Sequence, residues 1–229
     1  MKKEKLCMNI NLKIDKIKII KIQDKNYPEK LMHIYAKPQV LYVLGNVELL
    51  NEKAIAIVGC RNFTEYGRIN AYKFAFELAK QGICIISGMA KGIDTFAHLG
   101  ALDAKGKTVA VLGSGLDEVY PSENMWLYKD IIRKNGAVIT EYPIGTKPAK
   151  PNFPIRNRII SGLSEGVLVI EARRRSGTMI TVNHALEQGK DVYALPGNIF
   201  SDNSYGTNML IKEGAIPVTE VNDILSNLL

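Results

Sequence analysis

Short apolar runs, each closed by glycine or a polar residue and followed by apolar positions at helical spacing, recur along the chain from Ala54 onward. The runs are "AIAIVG" (54–59), "ICIISG" (83–88), "TVAVLG" (108–113), "GAVIT" (136–140), "GVLVIEA" (166–172) and "DVYALPG" (191–197). A strand wetted on one face alternates apolar and polar residues. These runs do not alternate, so they predict strands covered on both faces, as in a parallel sheet flanked by helices. Between and after them the pattern predicts helices near 65–81, 93–104, 123–134, 155–163, 178–189, 204–213 and 219–228. Gly82, Gly106, Gly136 and Gly189 stand where helices would stop. The expected fold class is α/β, an extended Rossmann-like, doubly wound and mostly parallel sheet. In such sheets ligands sit at the carboxyl ends of the strands, where loops meet helix N-termini.

Composition narrows the picture. The chain has 229 residues, 46% of them apolar and 23% charged, enough to bury the core of one α/β domain with small additions. Before the first run it is rich in Lys and Ile, so residues 1–26 are expected to be an N-terminal extension and 27–229 the domain. No apolar run approaches the roughly 20 residues of a membrane-spanning helix, and the Lys-rich start lacks the apolar stretch of a signal peptide. Cys7, Cys60 and Cys84 contain no C-x-x-C pair, and His33, His98 and His184 lie far apart. That usage fits a reducing cytoplasm and argues against a structural metal; no cofactor is expected.

The net charge of +7 is unevenly spread. Residues 1–30 carry +5, residues 147–175 carry another +5, and the remainder carries −3. For the first cluster a solvated tail or a lysine-protected edge strand is the plainer reading. The second cluster stands out as a candidate site.

Four stretches at strand ends carry candidate chemistry. In "VGCRNFTEYGR" (58–68), Gly59 allows a tight turn, and Arg61 either holds a phosphate or pairs with a carboxylate such as Glu65. In "SGMAKGIDTFAH" (87–98), Ser87, Gly88 and Gly92 precede a helix and offer backbone N–H groups to an anion. The spacing is neither a dinucleotide fingerprint nor a Walker loop. Asp94 and His98 share a helical face and could form an acid/base pair, though the plainer reading is a capping Asp and a half-buried His. In "EARRRSGTMITVNHA" (171–185), Ser176, Gly177 and Thr178 form a phosphate cradle beside Arg173 and Arg175, while one or two of the three arginines are solvated or paired with Glu171. In "KPNFPIRNRI" (150–159), prolines stiffen a loop that presents Phe153 beside Lys150, Arg156 and Arg158. Either Phe153 plugs the core and the arginines bridge Glu165 or Glu171, or the ring stacks on a base while the cations hold its backbone. "GSGLD" (113–117) lacks the spacing of a nucleophile elbow.

Taken in order, "YPEKL", "VGCRNFTEYG", "SGMAKGIDTFAHLGAL", "VLGSGLDEVYP", "EYPIGTKPAKPNFPIRNRIISGLS", "EARRRSGTMIT", "LPGN" and "GTNMLIKEGA" resemble the DNA-processing protein A (DprA/Smf) family, from about Tyr27 to Leu225. The resemblance implies an extended Rossmann fold that binds single-stranded DNA, forms homodimers and loads the RecA recombinase during natural transformation, with no established enzymatic activity. It places single-strand contacts on Arg61, Lys150 and Phe153, and phosphate-facing loops at Gly88, Gly92 and Ser176–Thr178. It suggests dimerisation through the C-terminal part of the fold. The triple Arg173–Arg175 replaces a usually less basic stretch, and the sequence matches neither the helical N-terminal nor the winged-helix-like C-terminal domain that many members carry. The rival readings are a nucleotide-processing hydrolase of the lysine-decarboxylase-like type, which needs a Glu that "SGTMITVNHA" lacks after its Thr, and a small-nucleotide sensor.

Overall fold

A computed structural model describes residues 16–228; Cys7 and the start of the Lys/Ile-rich extension lie outside them. The elements are β1 (Lys18–Lys21), α1 (Glu29–Met32), β2 (Val40–Gly45), β3 (Ala54–Val58), α2 (Glu65–Lys80), β4 (Cys84–Ser87), α3 (Ile93–Asp103), β5 (Thr108–Val111), α4 (Met125–Arg133), β6 (Ala137–Thr140), α5 (Asn152–Gly162), β7 (Gly166–Val169), α6 (Thr178–Glu187), β8 (Asp191–Ala194), α7 (Tyr205–Lys212), β9 (Ile216–Pro217) and α8 (Asn222–Leu225). The strands form one sheet in the order β1-β2-β6-β5-β4-β3-β7-β8-β9. The stretch from β6 to β9 is parallel, and β2 and β1 add an antiparallel edge.

The six apolar runs are the inner strands, and the lack of alternation has its reason in the core. Ala54, Ala56 and Val58 face Ile159 and Ile160 of α5 and Val182 of α6, whereas Ile55 and Ile57 face Phe74 and Leu78 of α2 and Ala97 of α3. A third cluster places Leu127 and Ile131 of α4 over Ala110 and Val138. Both faces are dry, so both must be apolar. From β3 the chain steps outward through β4 and β5 to β6; it then returns across α5 to place β7 on the other side of β3. The order therefore reverses between β3 and β7, which pair in parallel up to Val58 and Val169. Loops leaving these two strands diverge to opposite faces and open a crevice at their carboxyl ends.

Several expectations shift. β1 pairs with β2, with Ile20 buried and Ile19 56% exposed, so part of the Lys/Ile-rich segment adds an edge strand to the sheet. A four-residue run with one inward side chain is too short to reveal itself by periodicity. Its flanking lysines fit the edge-strand reading. Gly82 and Gly189 adopt positive φ as helix stops, but after α3 and α4 that role falls to Lys105 (φ 55°) and Asn135 (φ 63°). Gly106 and Gly136 serve contact instead, since an added Cβ would lie 2.6 Å from Ala79 and from Ile131, respectively. α8 is shorter than the pattern predicts, and α5 starts three residues earlier. Pro154 is tolerated in the first turn of α5 because the N–H groups there have no intrahelical acceptor. Among the described residues no helix is long and apolar enough to cross a membrane.

Candidate nucleic-acid interface

The crevice between the β3 and β7 loops is a cavity of about 700 Å³, closed on its third side by the start of α5. Gly59 and Arg61 come from the first loop, Arg173 and Arg175 from the second, and Ser176, Gly177 and Thr178 from the start of α6. Lys150 and Phe153 complete it from the approach to α5. Arg61 and Lys150 are exposed and form no ion pair among the described residues. Glu65, the alternative partner for Arg61, is taken by Arg68, whose Nε lies 2.8 Å from its Oε2. The three adjacent arginines separate: Arg173 Nε donates to Asn203 Oδ1 at 2.7 Å, Arg174 stacks over Tyr205 at 4.8 Å, and Arg175 is exposed at the cavity.

Phe153 sits in the first turn of α5, not on a loop, and is half-buried. One edge rests on Gly113, where an added Cβ would stand 2.9 Å from Cδ1. Tyr120 packs against the ring with centroids 5.4 Å apart and planes at 42°. The guanidinium carbons of Arg61 and Arg156 lie 5.9 and 6.0 Å from its centroid. The ring is therefore a wall of the cavity, anchored behind and open in front.

A buried polar frame locks the two principal loops together. Glu171 accepts from Thr64 N at 3.0 Å and from the Thr64 hydroxyl, and Asn203 Nδ2 donates to it at 3.0 Å. The same amide donates to Asn62 O at 2.8 Å, so one asparagine ties the Arg61 loop, Glu171 and Arg173 into one unit. Thr64 also caps α2, accepting from Gly67 N at 3.2 Å. Glu171 is only 1% exposed and bonded to Thr64 and Asn203, so it is not the arginine partner the sequence suggested.

Other expected contacts are redistributed. Arg156 and Arg158 are two positions apart on α5, about 200° around it, and cannot share a face. Arg158 turns away, forming a two-pronged pair with Glu141 at 2.6 and 2.7 Å and donating to Ala36 O at 2.8 Å. Arg156 lies under the cavity, 4% exposed, with its Nη1 donating to Gly88 O at 2.8 Å and to Val111 O. Burial lowers its pKa to about 10, against the opposing pull of Asp94, so it stays charged at neutral pH. Ser87 is buried and donates to Ile57 O at 2.7 Å, and the Gly88 N–H is taken by Asp94 Oδ2 at 3.1 Å. Gly92 is required by its positive φ and by Cys60 O, which an added Cβ would meet at 2.4 Å. These three shape the loop, and none of them lines the main cavity. Asp94 also accepts from Ala90 N at 3.2 Å, as a cap would; burial raises its pKa while Arg156 and these bonds oppose the rise. His98 is fully buried rather than half-buried, with Nδ1 against Thr108 Oγ1 at 2.7 Å. Sequence reasoning passed over Tyr120 and Asn157, both lining the cavity. The signal for Tyr120 was its place in a long loop after a strand, next to Pro121.

A family model described as DNA recombination-mediator protein A matches residues 18–229. The chain belongs to that family. Among DNA recombination-mediator protein A relatives, Protein Smf of Escherichia coli (strain K12) is 44% identical over 210 residues, which cover 92% of this chain and 56% of the relative. The chain thus spans little more than half of that protein's length. DNA processing protein DprA of Streptococcus pneumoniae is 43% identical over 218 residues, covering 95% of this chain and 77% of the relative. Its X-ray structure superposes with a TM-score of 0.87 over 93% of this chain and 75% of that one. DNA processing protein A of Helicobacter pylori, whose structure was solved to describe its single-stranded DNA binding mode, superposes with a TM-score of 0.82 at 30% identity, covering 93% of this chain and 95% of that one. The Rossmann-like fold read from the sequence is thereby shared with solved family members.

Proposed function

We propose that the crevice between the β3 and β7 loops binds single-stranded DNA without strong sequence preference, as the DNA-handling step of recombination mediation. The observation that carries this is a half-exposed aromatic ring sharing the cavity with two exposed cations, Arg61 and Lys150, that form no ion pair among the described residues, at the point where the strand order reverses. Phe153 stacks on an unpaired base, Arg61, Lys150, Arg173 and Arg175 hold neighbouring phosphates, and the amides at the start of α6 receive another. Ring faces accept any base and cations read only the backbone, so sequence matters little. A duplex binds less well because its bases are already stacked. The single-strand DNA binding described for the Helicobacter pylori relative supports the reading. Family membership extends it to a RecA-type recombinase as the partner that receives the strand, to a homodimer, and to the cytoplasm.

The hydrolase alternative needs a carboxylate free to act. Among the described residues Asp94 is the one acidic residue lining the cavity, and its Oδ2 is held by two backbone N–H groups. Titration of a labelled poly-dT oligonucleotide tests the proposal. Phe153→Ala should weaken binding about fivefold to a hundredfold, corresponding to the ~1–3 kcal/mol of one base stack. Arg61→Ala and Lys150→Ala should each weaken it with a shallower salt dependence. Unchanged affinity in all three variants would remove the crevice from DNA binding.

A further inference from the structure

On the β8 side of the crevice, the loop that leaves β8 displays two adjacent apolar side chains to solvent, Ile199 at 82% and Phe200 at 90% exposure. They do not sit on a slack loop. Asn198 closes the turn that carries them, accepting from Phe200 N at its Oδ1 (2.9 Å) and from Ser201 N at its carbonyl (3.0 Å). Below the turn, Asn208 donates to Gly197 O at 3.0 Å and accepts from Gly197 N at 3.1 Å, and the Tyr66 hydroxyl donates to Pro196 O at 2.6 Å. A ring mounted on such a fixed turn needs little further ordering of the backbone when it meets a ligand.

The same loop is joined to the wall of the crevice. Asn203 accepts from Arg173 Nε at 2.7 Å and, through its carbonyl, from Ala172 N at 2.8 Å, while Gly206 N donates to Ala172 O at 2.6 Å. Arg173 lines the cavity, and the next residue, Arg174, is exposed, stacks over Tyr205 at 4.8 Å and forms no ion pair among the described residues. Across the two loops 172–177 and 196–205 the charged residues are Arg173, Arg174, Arg175 and Asp202, so the surroundings of the exposed ring are net cationic. An aromatic ring set among cations suits a polyanion with stackable bases better than an apolar protein face.

We propose that the turn at Asn198–Ser201 is a second platform for single-stranded DNA, outside the crevice and continuous with it. Nucleotides leaving the crevice past Arg173 run over Arg174, which holds a phosphate, and one unpaired base stacks on Phe200. The proposal rests on the single-strand reading above and extends the path to residues not assigned there. It also gives Arg174 a role that the crevice does not: paired with the Tyr205 ring and not with an acid, its guanidinium keeps its charge available to a phosphate.

The test is fluorescence anisotropy with labelled poly-dT of two lengths, about five nucleotides, which the crevice holds alone, and about twelve, which reach the turn. Phe200→Ala should weaken the longer strand about fivefold or more and leave the shorter within about twofold of wild type, while Phe200→Tyr keeps both within about twofold. Arg174→Gln should weaken the longer strand alone and make its salt dependence shallower. Phe200 is 90% exposed, so its replacement leaves the core untouched. Unchanged affinity of Phe200→Ala for the longer strand, or an equal loss on both lengths, would overturn the platform while leaving the crevice reading intact. A shift in the sedimentation of free Phe200→Ala with no change in DNA binding would assign the turn to contact between copies instead. Wild type that binds neither length would remove the crevice reading and the platform together.

Discussion

Arg156 and Arg158 read as equivalent cations in "RNR", yet one lies under the site and the other faces away, because helical phase and not charge decides where each points. Sequence alone could not assign them while the start of α5 was uncertain by three residues. Replacing Arg156 with Met leaves the buried Gly88 and Val111 carbonyls without its donor and should lower unfolding free energy by about 1–3 kcal/mol, read by urea denaturation. Arg158→Met should also destabilise, through Glu141, but leave oligonucleotide affinity per folded molecule unchanged. His98 makes a prediction of its own. Thr108 Oγ1 donates to Ile85 O at 2.7 Å, so His98 Nδ1 must donate to Thr108, which leaves Nε2 unprotonated and without a partner among the described residues. Burial lowers the His98 pKa to about 3. Above the unfolded-state value of about 6.5 both states are neutral and the residue has no pH effect. Below it, the unfolded chain gains a proton that the native state refuses, so stability falls by about 1.4 kcal/mol per pH unit until the folded value is reached. The stability difference between wild type and His98→Asn should show that slope between about pH 6 and 4; a flat difference would show that the imidazole is protonated in the native state.

The inner strands and most helices were legible because two-sided burial leaves unbroken apolar runs whose glycine and polar ends mark the turns. β1, β2 and β9 were not, being short or edge elements whose pairing is decided by tertiary contact. The polar frame was equally hidden, since Thr64, Glu171 and Asn203 are remote in sequence and each has a plainer local role. Gly67 exposes the tightness of that frame: a Cβ there would stand 2.4 Å from the Glu171 carboxylate. Gly67→Ala should destabilise by about 1–3 kcal/mol, the usual range for overpacking, and should also weaken oligonucleotide binding because the displaced Glu171 no longer fixes the Arg61 loop. An alanine variant with wild-type melting and wild-type affinity would show that the two loops are held by other means.

Across the whole molecule, formal charge proved a poorer guide than its placement. The basic excess at 147–175 includes Arg158 and Arg174, which the fold spends on Glu141 and Tyr205, so fewer cations face the crevice than the sequence advertises. With about three to five phosphates neutralised, the logarithm of single-strand affinity should fall with that of salt concentration at a slope of roughly −2 to −3.5. A flat salt response would remove the electrostatic component. The reversal of strand order carries a last consequence. The loops on either side of the crevice belong to halves of the chain that cross over only through α5, so a polynucleotide lying across both acts as a non-covalent staple between them. Occupancy at a hundred times the dissociation constant should add about 2.7 kcal/mol to the folded state, and calorimetric melting with and without oligonucleotide would register the bound strand as part of the protein's own architecture.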